Sequence, residues 1–275
     1  MDMISIVVPF FNEEDCIFQY CNFIDEFSKD RAFEVEIVFV DDGSTDNTCN
    51  IITSYNFTNC QNIKLLRLSK NYGSHAAIRA GIFHASGNYT VFVGADLQEP
   101  DDMVSIMYEK IITGFDIVYI EKITIKISVA ARFFSLVYSA LMRRYAVKNY
   151  MSGGIGNIMF NEKIKNYLNN NIASNSSLVL QILDAGFNNA TIKMDYKPRF
   201  AGTSKWTLSK KIKLFIDSFV AFSVAPIRIV SIVGIIMSII GFFYGVYIII
   251  HRIFISLIPI PGYATLMFCC FSVLA

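Results

Sequence analysis

Three short acidic stretches contain residue types and spacings able to do chemistry. They are Pro9-Phe10-Phe11-Asn12-Glu13-Glu14, Val40-Asp41-Asp42-Gly43-Ser44-Thr45-Asp46 and Gly94-Ala95-Asp96-Leu97-Gln98-Glu99-Pro100, and each follows a short apolar run. Carboxylates placed in this way accept hydrogen bonds from a base or a ribose, or hold a divalent cation beside a diphosphate. The chain has neither GxGxxG nor GxxxxGK[ST], which removes most support for a dinucleotide site or a P-loop. Singly, each stretch has a plainer reading. Asp42-Gly43-Ser44 is a common turn, Thr45 or Asp46 can cap a helix, and Asp96 can cap a helix starting near Pro100. The case for a site rests on all three recurring after successive strands.

The elements that must position these loops alternate along the first two-thirds of the chain. Ile4–Val8, Val35–Val40, Ile63–Leu68, Tyr89–Val93 and Asp116–Ile120 are short apolar runs rich in β-branched or aromatic residues. Between them, Glu14–Phe27, Thr45–Tyr55, Ser74–Ala85 and Asp101–Ile112 have helical spacing. This alternation predicts an α/β fold, a mainly parallel sheet flanked by helices. Ligands of such sheets bind at the carboxyl ends of the strands, where the three acidic loops fall. Further on, Ile125–Arg144 reads as an amphipathic helix carrying Arg132, Ser152–Gly156 as an irregular Gly-rich stretch, Ser176–Ala185 as a helix and Ala190–Tyr196 as a strand.

Composition points to a membrane. Hydrophobic residues make up 53% of the 275 and charged residues only 17%, below the roughly 25% usual in soluble domains. A net charge of +1 makes no case for nucleic acid. Ile229–Ile250 is an uncharged apolar run that spans roughly 33 Å as a helix, enough to cross a hydrocarbon core. Basic residues crowd its N-terminal side (Lys205, Lys210, Lys211, Lys213 and Arg228), which predicts that the α/β part faces the cytoplasm. The expected division is an α/β domain over 1–205, juxtamembrane helices over 206–228, a transmembrane helix over 229–250, a loop over 251–262, and the start of a cut-off second span over 263–275. None of the six cysteines forms a CxxC pair or a zinc-spaced cluster, so reduced thiols are expected.

These residues resemble a known family. The three loops, with Lys70-Asn71-Tyr72-Gly73, Arg199-Phe200-Ala201-Gly202-Thr203-Ser204-Lys205-Trp206, Phe222-Ser223 and Pro226-Ile227-Arg228, look like the inverting family 2 glycosyltransferases of GT-A fold. Within it they look most like the polyprenyl-phosphate glycosyltransferases, and Arg-x-x-Gly-x-Ser-Lys-Trp is the most specific segment. The resemblance implies a membrane-bound hexosyltransferase that moves a sugar from a nucleotide sugar, by default a UDP-sugar, to polyprenyl (undecaprenyl) phosphate at the inner, cytoplasmic membrane. It implies that Pro9, Phe11, Glu13, Val40, Asp42, Ala95, Asp96 and Gln98 surround the nucleotide sugar, and that Asp96 and Gln98 hold Mg²⁺ or Mn²⁺. Arg132, Arg199, Ser204 and Lys205 would bind phosphate, with Asp96, Arg199 and Lys205 catalytic. A homo-oligomer is suggested by the two-span bacterial members.

The chain departs from the pattern where chemistry would occur. Gly94 stands where the usual Asp-x-Asp has its first acid, Gly153-Gly154-Ile155-Gly156 where relatives show Gly-Asp-Phe-Arg, and Glu121-Lys122 where arginines are common. Two readings follow: an active transferase with an altered donor or metal site, or a weakly active or inactive nucleotide-sugar-binding membrane protein acting with a partner.

Overall fold

Ile4, Ile6, Val7 and Val8 form a run that buries both faces of one strand, each of them 0% exposed, and that pattern sets the centre of the fold. In the computed structural model, the structure describes residues 1–123, 140, 143–144, 155–171, 177–197 and 225–254. Strand β1 (Met3–Phe10) leads to helix α1 (Ile17–Phe27), then β2 (Glu34–Asp41), α2 (Thr48–Ser54), β3 (Asn62–Arg67), α3 (Ser74–His84), β4 (Tyr89–Phe92), α4 (Met103–Ile111) and β5 (Ile117–Lys122). After these come β6 (Ile155–Asn161), α5 (Glu162–Asn170), α6 (Leu178–Asp184), β7 (Asn189–Met194) and α7 (Ala225–Phe254).

The strands form one seven-stranded sheet in the order β3-β2-β1-β4-β6-β5-β7. β1 pairs in parallel with β2 and β4, β2 with β3, and β5 with β7. β6 runs antiparallel to both its neighbours, β4 and β5. The α/β expectation holds, mainly parallel and flanked by helices, and the first five strands lie where the apolar runs placed them. Part of the Gly-rich stretch is a correction: Ile155 and Gly156 open β6 and are not irregular, while residues 152–154 lie outside the described residues.

Helix α1 buries Ile17, Tyr20, Cys21, Ile24 and Phe27, the i, i+3, i+4, i+7 spacing of a stripe facing the sheet. It packs with Ile4, Ile6, Val8 and Phe10 in the main core. Helix α3 approaches β1 through Gly81, where a Cβ would lie 2.2 Å from Val7 Cγ1, so any larger residue would push the helix off the sheet.

The chain divides into two compact units, Met1–Ala221 and Phe222–Ala275. In the second unit, α7 contains Ile227–His251, long and apolar enough to cross a membrane by length and composition. Large apolar side chains such as Ile229, Val230, Phe242 and Phe243 are exposed on it. A helix apolar around its whole circumference suits lipid or a large protein interior.

Candidate active site

Parallel pairing delivers the acidic loops to one rim. Pro9 registers with Val40 and Phe10 with Asp41, and the Val93 N–H donates to the Val7 carbonyl at 2.9 Å. Because β6 is antiparallel to both β4 and β5, the C-terminal end of β5, the end of β7 and the start of β6 arrive at the same rim. Pro9 has no N–H to donate, and it sits beyond the β4 pairing, which covers only Ile4–Val7 of β1.

The first two loops are stitched together. The Asn12 N–H donates to Ser44 Oγ at 2.9 Å, and Asn12 Oδ1 accepts the Thr45 N–H at 2.8 Å. The Glu13 N–H donates to Thr48 Oγ1 at 3.0 Å and the Glu14 N–H to Asp46 Oδ2 at 3.2 Å. Asp41 is fully buried and accepts from the Ser44 N–H at 2.7 Å, while Arg67 Nε lies 3.1 Å from its other oxygen.

Asp42 reaches the other way. Its Oδ1 accepts the Tyr72 N–H and its Oδ2 the Gly73 N–H, both at 2.8 Å. The Lys70-Asn71-Tyr72-Gly73 segment lies against Gly43, where φ is +77° and a Cβ would stand 2.6 Å from the Lys70 carbonyl carbon. Only glycine suits both the left-handed backbone and that approach. Val40 and Ala95 are 0% and 5% exposed, so their side chains pack beneath the rim and only their main chain could meet a ligand. Phe11, Glu13, Asp96 and Gln98 are half-buried on the rim itself.

The third loop is held from below. The Cys16 thiol donates to the Ala95 carbonyl and to Glu13 Oε2, each at 3.4 Å. Glu99 Oε1 accepts the Gly94 N–H at 3.1 Å and Asn157 Nδ2 at 3.2 Å. Asn157 also donates to the Phe92 carbonyl at 2.8 Å, and Tyr196 Oη donates to Asn157 Oδ1. The Lys197 N–H donates to the Gln98 carbonyl at 2.7 Å, and Lys197 Nζ pairs with Asp101 at 2.6 Å. Burial, with the Asp96 charge second, raises the Glu99 carboxyl above its ordinary range. Lys122 lies over the Tyr196 ring at 3.8 Å; burial lowers its ammonium, partly offset by Glu99 and Asp96.

The structure therefore brings together Pro9, Phe11, Glu13, Val40, Asp42, Ala95, Asp96 and Gln98. Arg132, Arg199, Ser204, Lys205 and Gly154 lie outside the described residues. Sequence reading missed Cys16, Asn157 and Tyr196. For Asn157 the signal was a lone polar residue inside an otherwise apolar run, Ile155 to Phe160.

A parallel α/β sheet with acidic strand-end loops and helices on its faces is the GT-A class of architecture. The chain belongs to glycosyl transferase family 2, whose model matches residues 5–176. It is 29% identical over 272 residues to a bactoprenol glucosyl transferase of Shigella phage SfV, covering 96% of this chain and 86% of that one. It is 25% identical over 252 residues to an undecaprenyl-phosphate 4-deoxy-4-formamido-L-arabinose transferase of Klebsiella pneumoniae, covering 91% and 76%. Among solved structures it is similar in fold to glucosyl-3-phosphoglycerate synthase from Mycobacterium tuberculosis in complex with Mn²⁺, UDP and phosphoglyceric acid. That match has a TM-score of 0.57 at 18% identity and covers 78% of this chain and 75% of that one. The chain is a glycosyltransferase.

Proposed function

We propose that this glycosyltransferase moves a hexose from a nucleotide sugar, a UDP-sugar, to a polyprenyl phosphate such as undecaprenyl phosphate. The observation that carries this reading is the convergence of the β1, β2 and β4 loops on one rim, joined to relatives named for polyprenyl-type acceptors. Pro9, Phe11, Glu13, Asp42 and the main chain of Val40 and Ala95 surround the nucleotide. A phosphate oxygen of the acceptor attacks the anomeric carbon as the bond to the nucleoside diphosphate breaks. One such displacement inverts the anomeric configuration. The acceptor phosphate is already ionised, so no strong general base is required.

Asp96 and Gln98 supply a carboxylate and an amide oxygen beside the donor diphosphate. Hard oxygen ligands completed by substrate phosphates suit Mg²⁺ or Mn²⁺, so the residues fit a divalent cation. When bound, the cation offsets charge on the departing diphosphate. Arg199 and Lys205 are assigned to the phosphates, with Arg132 and Ser204 beside them, because guanidinium matches phosphate in bidentate geometry. Helix α7 anchors the chain in the membrane, and basic residues on its N-terminal side favour a cytoplasmic catalytic unit at the inner membrane. A homo-oligomer belongs to the same reading.

Gly94 favours a second reading: among the described residues no group of three or more His, Cys, Asp or Glu could hold a metal. A site with one carboxylate could bind nucleotide sugar yet transfer weakly, with a partner. The test is transfer of radiolabelled sugar to undecaprenyl phosphate in membranes containing the full chain, against Asp96→Ala. Label in the lipid fraction that Asp96→Ala abolishes is expected. No transfer from a broad donor panel, with nucleotide still bound, would leave the second reading standing.

A further inference from the structure

Two buried polar atoms behind the Asp96 loop have no hydrogen-bond partner among the described residues, the Tyr20 hydroxyl and Glu99 Oε2. Both residues line one cavity with ≈ 20 Å³ of room for water, whose wall also includes Asp101 and is otherwise apolar, with Ile24, Val93, Leu97 and Met103 among its residues. One water needs roughly 10–15 Å³ of such space and two to four polar partners. The cavity meets both requirements for a single molecule. Buried polar groups without a partner are costly, and native folds keep few of them. The other Glu99 oxygen is already engaged by the Gly94 N–H and by Asn157.

We propose that one buried water bridges the Tyr20 hydroxyl to Glu99 Oε2, and that Tyr20 and Glu99 are thereby positioning residues for the loop carrying Asp96 and Gln98. The connection runs from α1 through the water to Glu99, and from Glu99 to the Gly94 N–H, two residues before Asp96. Glu99 then acts from beneath the loop and does not replace the acid missing at Gly94. A carboxylate oxygen sealed from solvent cannot share a cation with a diphosphate arriving from the rim. The inference rests on the reading that Asp96 and Gln98 face the donor diphosphate.

The experiment uses the full chain in detergent or nanodiscs and measures Mn²⁺ affinity by electron paramagnetic resonance with UDP present. It also measures donor KM and kcat and the melting temperature. Glu99→Gln keeps an acceptor for Gly94 and Asn157 and a polar group for the water, so its Mn²⁺ affinity and KM stay near wild type. Glu99→Met, similar in length but without hydrogen bonds, weakens Mn²⁺·UDP binding by about 10–100-fold, as loss of a supporting partner does, with kcat less affected. Tyr20→Phe shows the same split to a smaller degree. If Glu99→Gln loses Mn²⁺ as completely as Asp96→Asn, Glu99 is a ligand and the positioning role fails. If Glu99→Met lowers only the melting temperature, the role is merely structural and the proposal again fails. A wild-type crystal structure that resolves ordered waters but shows the cavity dry overturns the bridge. If wild type and Asp96→Asn bind Mn²⁺·UDP equally poorly, the donor-site reading itself falls, a result distinct from the others.

Discussion

Glu99 accepts the backbone N–H of Gly94 at 3.1 Å, and this sets a carboxylate at the base of the loop that carries Asp96. A Cβ on Gly94 would lie 3.1 Å from Asp96 Oδ1 and 3.4 Å from Glu99 Oε1. Gly94→Asp would crowd a third carboxylate into that space. Like charges about 4 Å apart repel by about 4 kcal/mol at an effective dielectric of 20, less where solvent screens them. The variant is expected to melt below wild type in EDTA and to gain more from added Mn²⁺. Thermal shift with and without Mn²⁺ checks this; an unchanged Mn²⁺ response would count against a cation beside Asp96.

Asp42 spans two N–H groups of the β3–α3 connection with its two oxygens. Asp42→Asn turns one oxygen into an NH₂ that faces an N–H, leaving a donor unpaired at a cost of about 1–3 kcal/mol. The expected result is a lower unfolding midpoint together with weaker UDP binding, because the Lys70–Gly73 segment loses its brace. Calorimetry with UDP and denaturant melts of the same samples measure both. Weakened stability with intact UDP affinity would separate Asp42 from the nucleotide.

Cysteine labelling reads the packing of the first half of the sheet. Burial pushes the Cys21 thiol up to about 12, and burial followed by the Asp41 hydrogen bond and charge pushes Cys49 to about 12 as well. At pH 8 the thiolate fraction of such a group is roughly a thousandfold below that of an ordinary thiol. Iodoacetamide should therefore modify neither residue in the folded chain over a period that saturates glutathione. Both should react in urea, as read by mass spectrometry.

Acid should destabilise the catalytic unit in a defined window. Burial acts to raise Asp25, but hydrogen bonds from Asn59, Thr58 and Cys60 outweigh it and hold the carboxyl below its ordinary 3.8. Burial likewise acts to raise Glu36, and Lys64, Ser5 and Ser86 outweigh it, holding it below 4.5. Groups lowered in the folded state contribute stability that is fully present above their unfolded values and lost as pH falls through the folded ones. The melting temperature should hold between pH 7 and about 5, then fall below about 4. Asp25→Asn should flatten that fall, and an equally steep fall in the variant would remove Asp25 as a contributor.

Much of the acidic rim was legible in the chain because strands buried on both faces write themselves as mostly apolar runs, interrupted here by Ser5 and Glu36. Val35–Val40 ends directly in Asp41-Asp42, and Ile4–Val8 runs into Pro9 with Glu13 and Glu14 a few residues on, so strand and loop announce each other. Direction is not written that way. β6 has the same apolar look as its neighbours, and only pairing with β4 and β5 shows that it runs backwards. Side-chain depth was equally hidden: Glu99 reads as one more loop acid, and its burial beneath Gly94 depends on Asn157, which lies 58 residues away. Cys16 carries no motif, yet its thiol joins the first loop to the third. The phosphate-binding assignments to Arg132, Arg199, Ser204 and Lys205 rest on resemblance alone.

The reversed strand between β4 and β5 has a consequence for how the chain is made. During synthesis β1 to β4 emerge first and can pair at once, but β4 has no outer neighbour until Ile155–Asn161 appears. β5 cannot fill the gap, because its own partners, β6 and β7, both come later in the chain. A nascent chain halted before β6 thus exposes an unpaired strand edge next to the apolar centre of the sheet, the kind of edge that templates aggregation. Long-range pairing of this sort is slow to form. Closure of the sheet is set by the arrival of β6, and the acidic rim cannot acquire its Asn157 support before then.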